Sequence, residues 1–369
     1  MEEFDSKLLE KLCSFSAIPG REDKMISFMR DTFKNYTNQV KVDHLGNVIA
    51  MFPSNQANQG GPSVMIAAHM DEVGLMVKKI EKNGYLRVDK LGSPNRKTLV
   101  GQKVLVEGYK GYIEGVIGVK SLLFTPPEER YTVPDLSKMY VDIGVNTKEE
   151  ALEIGVKVGS SISYFPNYSL TKHGYIISKS LDDRIGCYIL IKLLKKLNKG
   201  EIKTKARVSF VGTVQEEFSS KGAIPAAHDI QPDIGIYLDI VPACDTPDLE
   251  GKIDIGLNEG PVIVIKDFHG RGTLAGLISN PKLVKYLEST AQKSKIPIQF
   301  FVESGILTDT AYAQLVGKGI IFCTISVPGR YLHSPVEVSS VRDINKTILL
   351  LEQVLSSLDS KVFKSFERG

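Results

Sequence analysis

His69, Asp182, Glu216, Glu217, Asp239 and His333 have the side-chain types and the settings for metal-assisted chemistry. His69 follows the apolar run VMIAA, Glu217 follows VSFVGTV, Asp239 follows IGIYL, and His333 follows IIFCTISV by a short turn. Asp182 stands just before a helical stretch. Two adjacent carboxylates at the end of a buried strand repel each other, and they settle only beside a cation or around a shared proton. A solvated loop pair is the alternative for Glu216 and Glu217, and it weakens because four other strand-associated positions carry ligand-type residues. In an open α/β sheet, ligands bind in the crevice at the carboxyl ends of the strands. Two imidazoles and three carboxylates can hold two divalent cations with one carboxylate bridging. That mixed set suits zinc or another first-row ion better than calcium, which prefers all-oxygen cages.

Of the six histidines, His44, His173 and His269 sit beside glycine in turns and His228 beside Asp229 at a helix end, so all four read as surface residues. His69 and His333 alone follow core strands. Asp71, two positions beyond His69, is placed to accept the other ring N–H of that imidazole and fix its tautomer, unless it is a turn or N-cap aspartate. In the Glu216–Glu217 pair, one carboxylate can ligate while its neighbour takes a proton from an activated water. The doublet Asp182–Asp183 is open on spacing alone: either aspartate can ligate, and the other then caps the following helix.

The elements that must position these residues fall into three stretches. The first, 1–73, begins with an amphipathic helix containing Leu8, Leu9, Leu12 and Phe15, which is no secretion signal. A second helix follows over 22–35, then strands over 39–43, 47–52 and 64–68, with a polar surface loop over 54–62. From 74 to 172, period-two runs and glycine turns dominate, and Asn83-Gly84 between alternating runs is a hairpin signal. From 173 to 369, strands expected over 206–214, 234–238, 262–265, 298–302 and 320–327 alternate with helices over 183–199, 282–293, 308–316 and 342–357. That alternation predicts an α/β sheet covered on both faces, interrupted by an inserted β-rich domain.

With 369 residues, 42% hydrophobic and 24% charged, the chain has material for one or two well-packed domains. Lys+Arg 46 against Asp+Glu 43 leaves a formal charge of +3 and no basic stripe, which argues against nucleic acid. No apolar run is long enough to span a bilayer, so no membrane partner is expected. The cysteines Cys13, Cys187, Cys244 and Cys323 lie scattered in apolar contexts without a CxxC pair, as buried thiols of a reducing compartment, the cytoplasm by default.

Five segments, AAHMDEVGLMV (67–77), SLDDRIG (180–186), TVQEEF (213–218), YLDI with CDTP (237–247) and VPGRYLHSPVE (327–337), resemble the M42 family of metalloaminopeptidases. These are glutamyl- and leucyl-aminopeptidase-like proteins whose members form tetrahedral dodecamers, and some carry an endoglucanase label. The resemblance implies an α/β/α sandwich of the zinc exopeptidase (phosphorylase/hydrolase-like) type, with the insertion serving as a dimerisation domain. It implies that His69 and Asp239 bind one metal, Glu217 and His333 the other, and that Asp182 bridges them. Glu216 would be the general base, Asp71 would support His69, and Asp183 and Asp309 would lie just behind the ligands. The cofactors expected are two divalent ions per subunit, zinc foremost, with cobalt or manganese as alternatives. The partners expected are peptides with a free N-terminus and further copies of the chain, in dimers assembling into a dodecamer. Three stretches depart from the family pattern: Phe218-Ser219-Ser220-Lys221-Gly222, Gly305-Ile306-Leu307 and Lys120-Ser121-Leu122-Leu123-Phe124.

A dinuclear aminopeptidase is therefore the leading function. A glycosidase needs two acids flanking a sugar bond about 5 to 9.5 Å apart and no metal. The chain also has Trp 0, so the large aromatic platform favoured for sugars is missing. A catalytically silent scaffold would have lost ligands or base, and every position is filled. A lysine or arginine in the side-chain pocket would favour acidic N-terminal residues, with Lys221 and Arg330 the candidates.

Overall fold

The computed structural model describes residues 4–53, 60–270 and 276–367. Most of the polar loop expected over 54–62 lies outside them. Alternation along Val64–Ala68 explains the layering. Val64, Ile66 and Ala68 face one core, shared with the helices Ser6–Ser14, Asp23–Lys34, Leu181–Asn198, Pro281–Lys293 and Val341–Ser357. Met65 and Ala67 face the other, packing with Ala223, Ala226 and Ala227 of the helix Ala223–Ile230. Helices thus cover both faces of the sheet, and the architecture is an α/β/α sandwich.

Among the described residues the sheet has nine strands. Its centre is parallel: Arg207–Thr213, Ser63–His69, Ile234–Pro242 and Ile321–Gly329 lie side by side in that order. Antiparallel strands flank it, Val48–Phe52 on one side and Val262–Phe268 on the other. Four carboxyl ends therefore reach one edge. Between His69 and Tyr175 the chain leaves the sheet and closes six strands, from Gly74–Ile80 to Ser161–Tyr164, into a barrel around its own apolar core of Leu75, Val77, Leu86, Val104, Val106 and Ile162. Its first hairpin turns at Gly84, whose φ of +84° is open to glycine.

The elements differ from expectation in several places. The helix expected over 308–316 is only Thr310–Ala313, because the chain continues in i→i+3 bonds, Leu315 to Tyr312 and Val316 to Ala313, before Gly317 turns left-handed. The strand expected to end at Leu238 runs on to Pro242, held by pairing through to Pro242 opposite Gly329. Its pairing with Ser63–His69 stops at Tyr237 opposite Ala67, so Asp239 lies inside a strand but beyond the point where that neighbour ends its pairing.

Candidate active site

The edge at which these strands end gathers every proposed donor. His69 is the last residue of its strand, with Thr213 directly opposite in register. Gln215, at φ +56°, turns the chain so that Glu216 and Glu217 face His69. Asp182 precedes the regular part of its helix, and Asp183 caps it by accepting the Gly186 N–H at 2.9 Å. Of the two aspartates, Asp182 faces the histidines and Asp183 takes the cap.

Asp182 is the centre of the cluster. One carboxylate oxygen lies 3.1 Å from His69 Nε2 and the other 3.6 Å from His333 Nε2, while His333 Nε2 is also 3.3 Å from Glu217. Three donor groups follow: His69–Asp182–Asp239, Asp182–Glu217–His333 and His69–Glu216–Glu217, each with one ligand-type atom per residue within 4.8 Å of the others. The first two share Asp182. Both imidazoles present Nε2 to it because Nδ1 is engaged behind, His69 with the Asp71 carbonyl at 3.2 Å and His333 with the Ser93 carbonyl at 3.1 Å.

Asp71 thus reaches His69 chiefly through its backbone, its carboxylate standing 3.6 Å from Nδ1. That carboxylate accepts instead from the N–H groups of Glu216 and Glu217, both at 3.0 Å. Glu337 makes the corresponding clasp on the other side, accepting from Asp182 N–H at 3.0 Å and His333 N–H at 2.8 Å. Sequence reasoning missed Glu337, which was visible only as part of the VPGRYLHSPVE segment. It missed Ser220 as well, a buried hydroxyl that donates to Glu216 Oε1 at 3.2 Å. Asp309 lies buried and accepts from Tyr237 O–H at 2.6 Å, and Thr213 joins the same hydroxyl at 2.9 Å.

Electrostatically, the cluster holds more buried carboxylate than it can ionise. Burial, then Asp309, Glu217 and Asp71, hold the Glu216 carboxyl well above its ordinary range despite His69. Burial and Asp182 do the same to Asp239. Burial alone would depress the histidines; the carboxylates of Asp182 and Asp71 around His69, and of Glu217 and Asp182 around His333, instead hold both well above the usual imidazole range. Crowded acids that retain protons are what a pair of dications would relieve, so the donor set fits divalent metal.

The cluster opens into a cavity of about 550 Å³. His269, read from sequence as a surface residue, is exposed and lines this cavity. The pocket role suggested for Lys221 and Arg330 is corrected. Lys221 stacks over Phe218, 4.3 Å from its ring centroid, and lines a separate surface hollow with Leu45 and Ile224. Arg330 forks onto Asp245 at 2.8 and 2.7 Å.

A parallel-centred α/β/α sheet with an imidazole–carboxylate cluster at its carboxyl edge is an arrangement that could hold divalent metal. The profile described as M42 glutamyl aminopeptidase matches residues 46–350, and the chain belongs to that family. It is 40% identical to the putative aminopeptidase SgcX of Escherichia coli over 93% of this chain and 91% of that protein. It is 35% identical to the lysyl aminopeptidase of Pyrococcus furiosus, covering 96% and 97% of the two chains. Among solved structures it resembles the Pyrococcus horikoshii TET1 peptidase, which can assemble into a tetrahedron or a large octahedral shell: TM-score 0.82, 31% identity, 95% and 99% coverage. The chain is accordingly a peptide-bond hydrolase of the aminopeptidase type.

Proposed function

We propose that the chain removes N-terminal residues from peptides at a dinuclear metal centre in which His69 and Asp239 hold one ion, Glu217 and His333 the other, and Asp182 bridges. The observation that carries this reading is Asp182, with one oxygen toward each histidine and membership of two three-donor groups. Two divalent ions there would polarise the scissile carbonyl, anchor the free α-amine and activate water at neutral pH. Zinc suits the mixed nitrogen and oxygen donors, and cobalt or manganese fit the same set.

Glu216 is the general base. It takes a proton from the attacking water and delivers it to the leaving amine. Asp71 fixes its backbone and Ser220 its carboxylate, so the group is aimed before substrate arrives. Behind the ligands, Asp183 caps the helix that follows Asp182, and Asp309 accepts from Tyr237 in the strand that carries Asp239. Residues 74–172 form a dimerisation domain between catalytic segments 1–73 and 173–369, with Leu122, Leu123 and Phe124 exposed at 70%, 82% and 73% as contact material. Dimers then build a homo-oligomer, up to a dodecamer, as in the dodecameric PhTET1-12s structure that the chain resembles. The four buried free thiols suit the cytoplasm.

Glu216→Gln tests the mechanism. It is expected to lower kcat on aminoacyl-anilides about 10²- to 10⁴-fold while two metals per chain are retained. Wild-type protein that carries two metals yet turns over no anilide overturns the reading; light scattering of the same sample reads the assembly.

A further inference from the structure

Beyond the strand Arg207–Thr213, the segment that carries Glu216 has no strand neighbour to hold it. Pairing ends at Gly212 opposite Val48 on one side and at Thr213 opposite His69 on the other. Buried N–H groups need partners, and the next four in the chain find side-chain oxygens. Val214 N–H donates to Asn47 Oδ1 at 3.1 Å and Gln215 N–H to Glu22 Oε1 at 3.1 Å. The Glu216 and Glu217 N–H groups go to the two oxygens of Asp71, both at 3.0 Å. Gln215, at φ +56°, is where the chain turns, and Glu22 is the acceptor at that residue.

Glu22 is an uncommon choice for its own position. It is the N-cap of the helix Asp23–Lys34, where a short side chain such as aspartate or serine bonds back onto the helix, yet it makes no such bond. It lies buried, at 3% exposure, and reaches a residue 193 positions away. The same oxygen accepts the Gly20 N–H at 2.9 Å. The longer side chain thus forgoes capping and gains reach. Burial and Asp71 push its carboxyl up to about 7, so near neutral pH the bond to Gln215 does not depend on a full charge.

We infer that Glu22 is a positioning residue for the general base: by holding the Gln215 N–H it sets the turn that aims Glu216 at the attacking water. It acts through the backbone alone, and this role rests on Glu216 being the base. A displacement of about 1 Å at a reacting group is enough to cost about a hundredfold in rate.

Two substitutions separate reach from charge, tested with the metal-reconstituted full chain on the aminoacyl-anilide it turns over fastest. Glu22→Asp keeps the charge and supplies a favoured N-cap, but its carboxylate is drawn back by one carbon–carbon bond, about 1.5 Å, and loses Gln215. Glu22→Gln keeps an acceptor oxygen of the same reach and loses the charge. Glu22→Asp is expected to lower kcat about 10- to 100-fold, with KM within about threefold and two metals per chain retained. Glu22→Gln should recover kcat to within about threefold of wild type. In a Glu216→Gln background, which has no base to aim, adding Glu22→Asp should lower kcat by less than about threefold further. If Glu22→Asp melts early, Glu22→Met, of like length with only a weak acceptor, takes its place. Wild-type kcat in the shortened variant, a glutamine variant as impaired as the aspartate one, loss of metal, or a full further loss in the Glu216→Gln background each overturns the inference and leaves the aminopeptidase standing. Wild-type kcat in Glu216→Gln itself overturns the assignment of the base, and the role of Glu22 falls with it.

Discussion

Glu337→Gln should cost the protein metal while leaving every proposed ligand in place. Glu337 is buried, and its two carboxylate oxygens accept the backbone N–H groups of Asp182 and His333. An amide of the same shape has one acceptor oxygen. The other N–H then faces an NH₂ group, leaving a buried donor unsatisfied at about 1–3 kcal/mol, and the surviving bond loses its charge assistance. In the metal-free protein, burial and the Asp182 charge push Glu337 up to about 8. Near neutral pH that group is largely protonated and resembles the amide, so the penalty falls mainly on the metal-bound state, where nearby dications favour the carboxylate. About 2–3 kcal/mol corresponds to roughly 30- to 150-fold weaker binding at the Asp182–Glu217–His333 position. Dialysis against buffered zinc, with metal per chain read by plasma emission, measures this, and melting of both metal-free proteins separates it from misfolding. A variant that holds two metals at wild-type affinity refutes the reasoning.

The metal-free protein should lose stability as pH rises from about 5.5 to 9. Burial and like charges push Asp183 and Glu337 up to about 8 and Glu22 to about 7; burial pushes Asp267 and Asp343 to about 6. A folded-state value above the unfolded one gives stabilisation that is present at low pH and lost as pH climbs through the folded value. Added zinc should offset the loss increasingly at high pH, and a chelated sample whose melting temperature rises across this range would contradict the scheme. Lys179→Met should destabilise the fold by about 1–3 kcal/mol in urea titrations, because buried Glu72 loses the ammonium that Lys179 places at 2.6 and 2.8 Å while keeping the Ala17 N–H, the Ser180 hydroxyl and the Arg184 guanidinium 3.8 Å away. A cost under about 0.5 kcal/mol would count against a structural pair.

How far the site could be read from sequence follows from where each member's information lies. His69, Glu217 and His333 were legible because each stands beyond an apolar run, and parallel strands bring such ends to one edge. Asp239 joins the cluster although the strand was expected to stop before it and instead continues to Pro242. The helix Ala223–Ile230 was not foreseen: it is short, contains Pro225, and is secured by packing three alanines against Met65 and Ala67. Glu337 was illegible because its role is to accept two backbone N–H groups, one of them 155 positions away. Least legible were the turns that aim the proposed ligands. Ser180, Gln215 and His333 have φ of 58°, 56° and 60°, a left-handed conformation that is uncommon for residues other than glycine. Such conformations persist only where surrounding contacts over-determine them. At two of these turns the contacts are the clasps of Asp71 and Glu337, which hold backbone N–H groups and touch no substrate. The accuracy of the site therefore resides in residues that bind nothing themselves, which is why losing one acceptor oxygen at position 337 should register as lost metal.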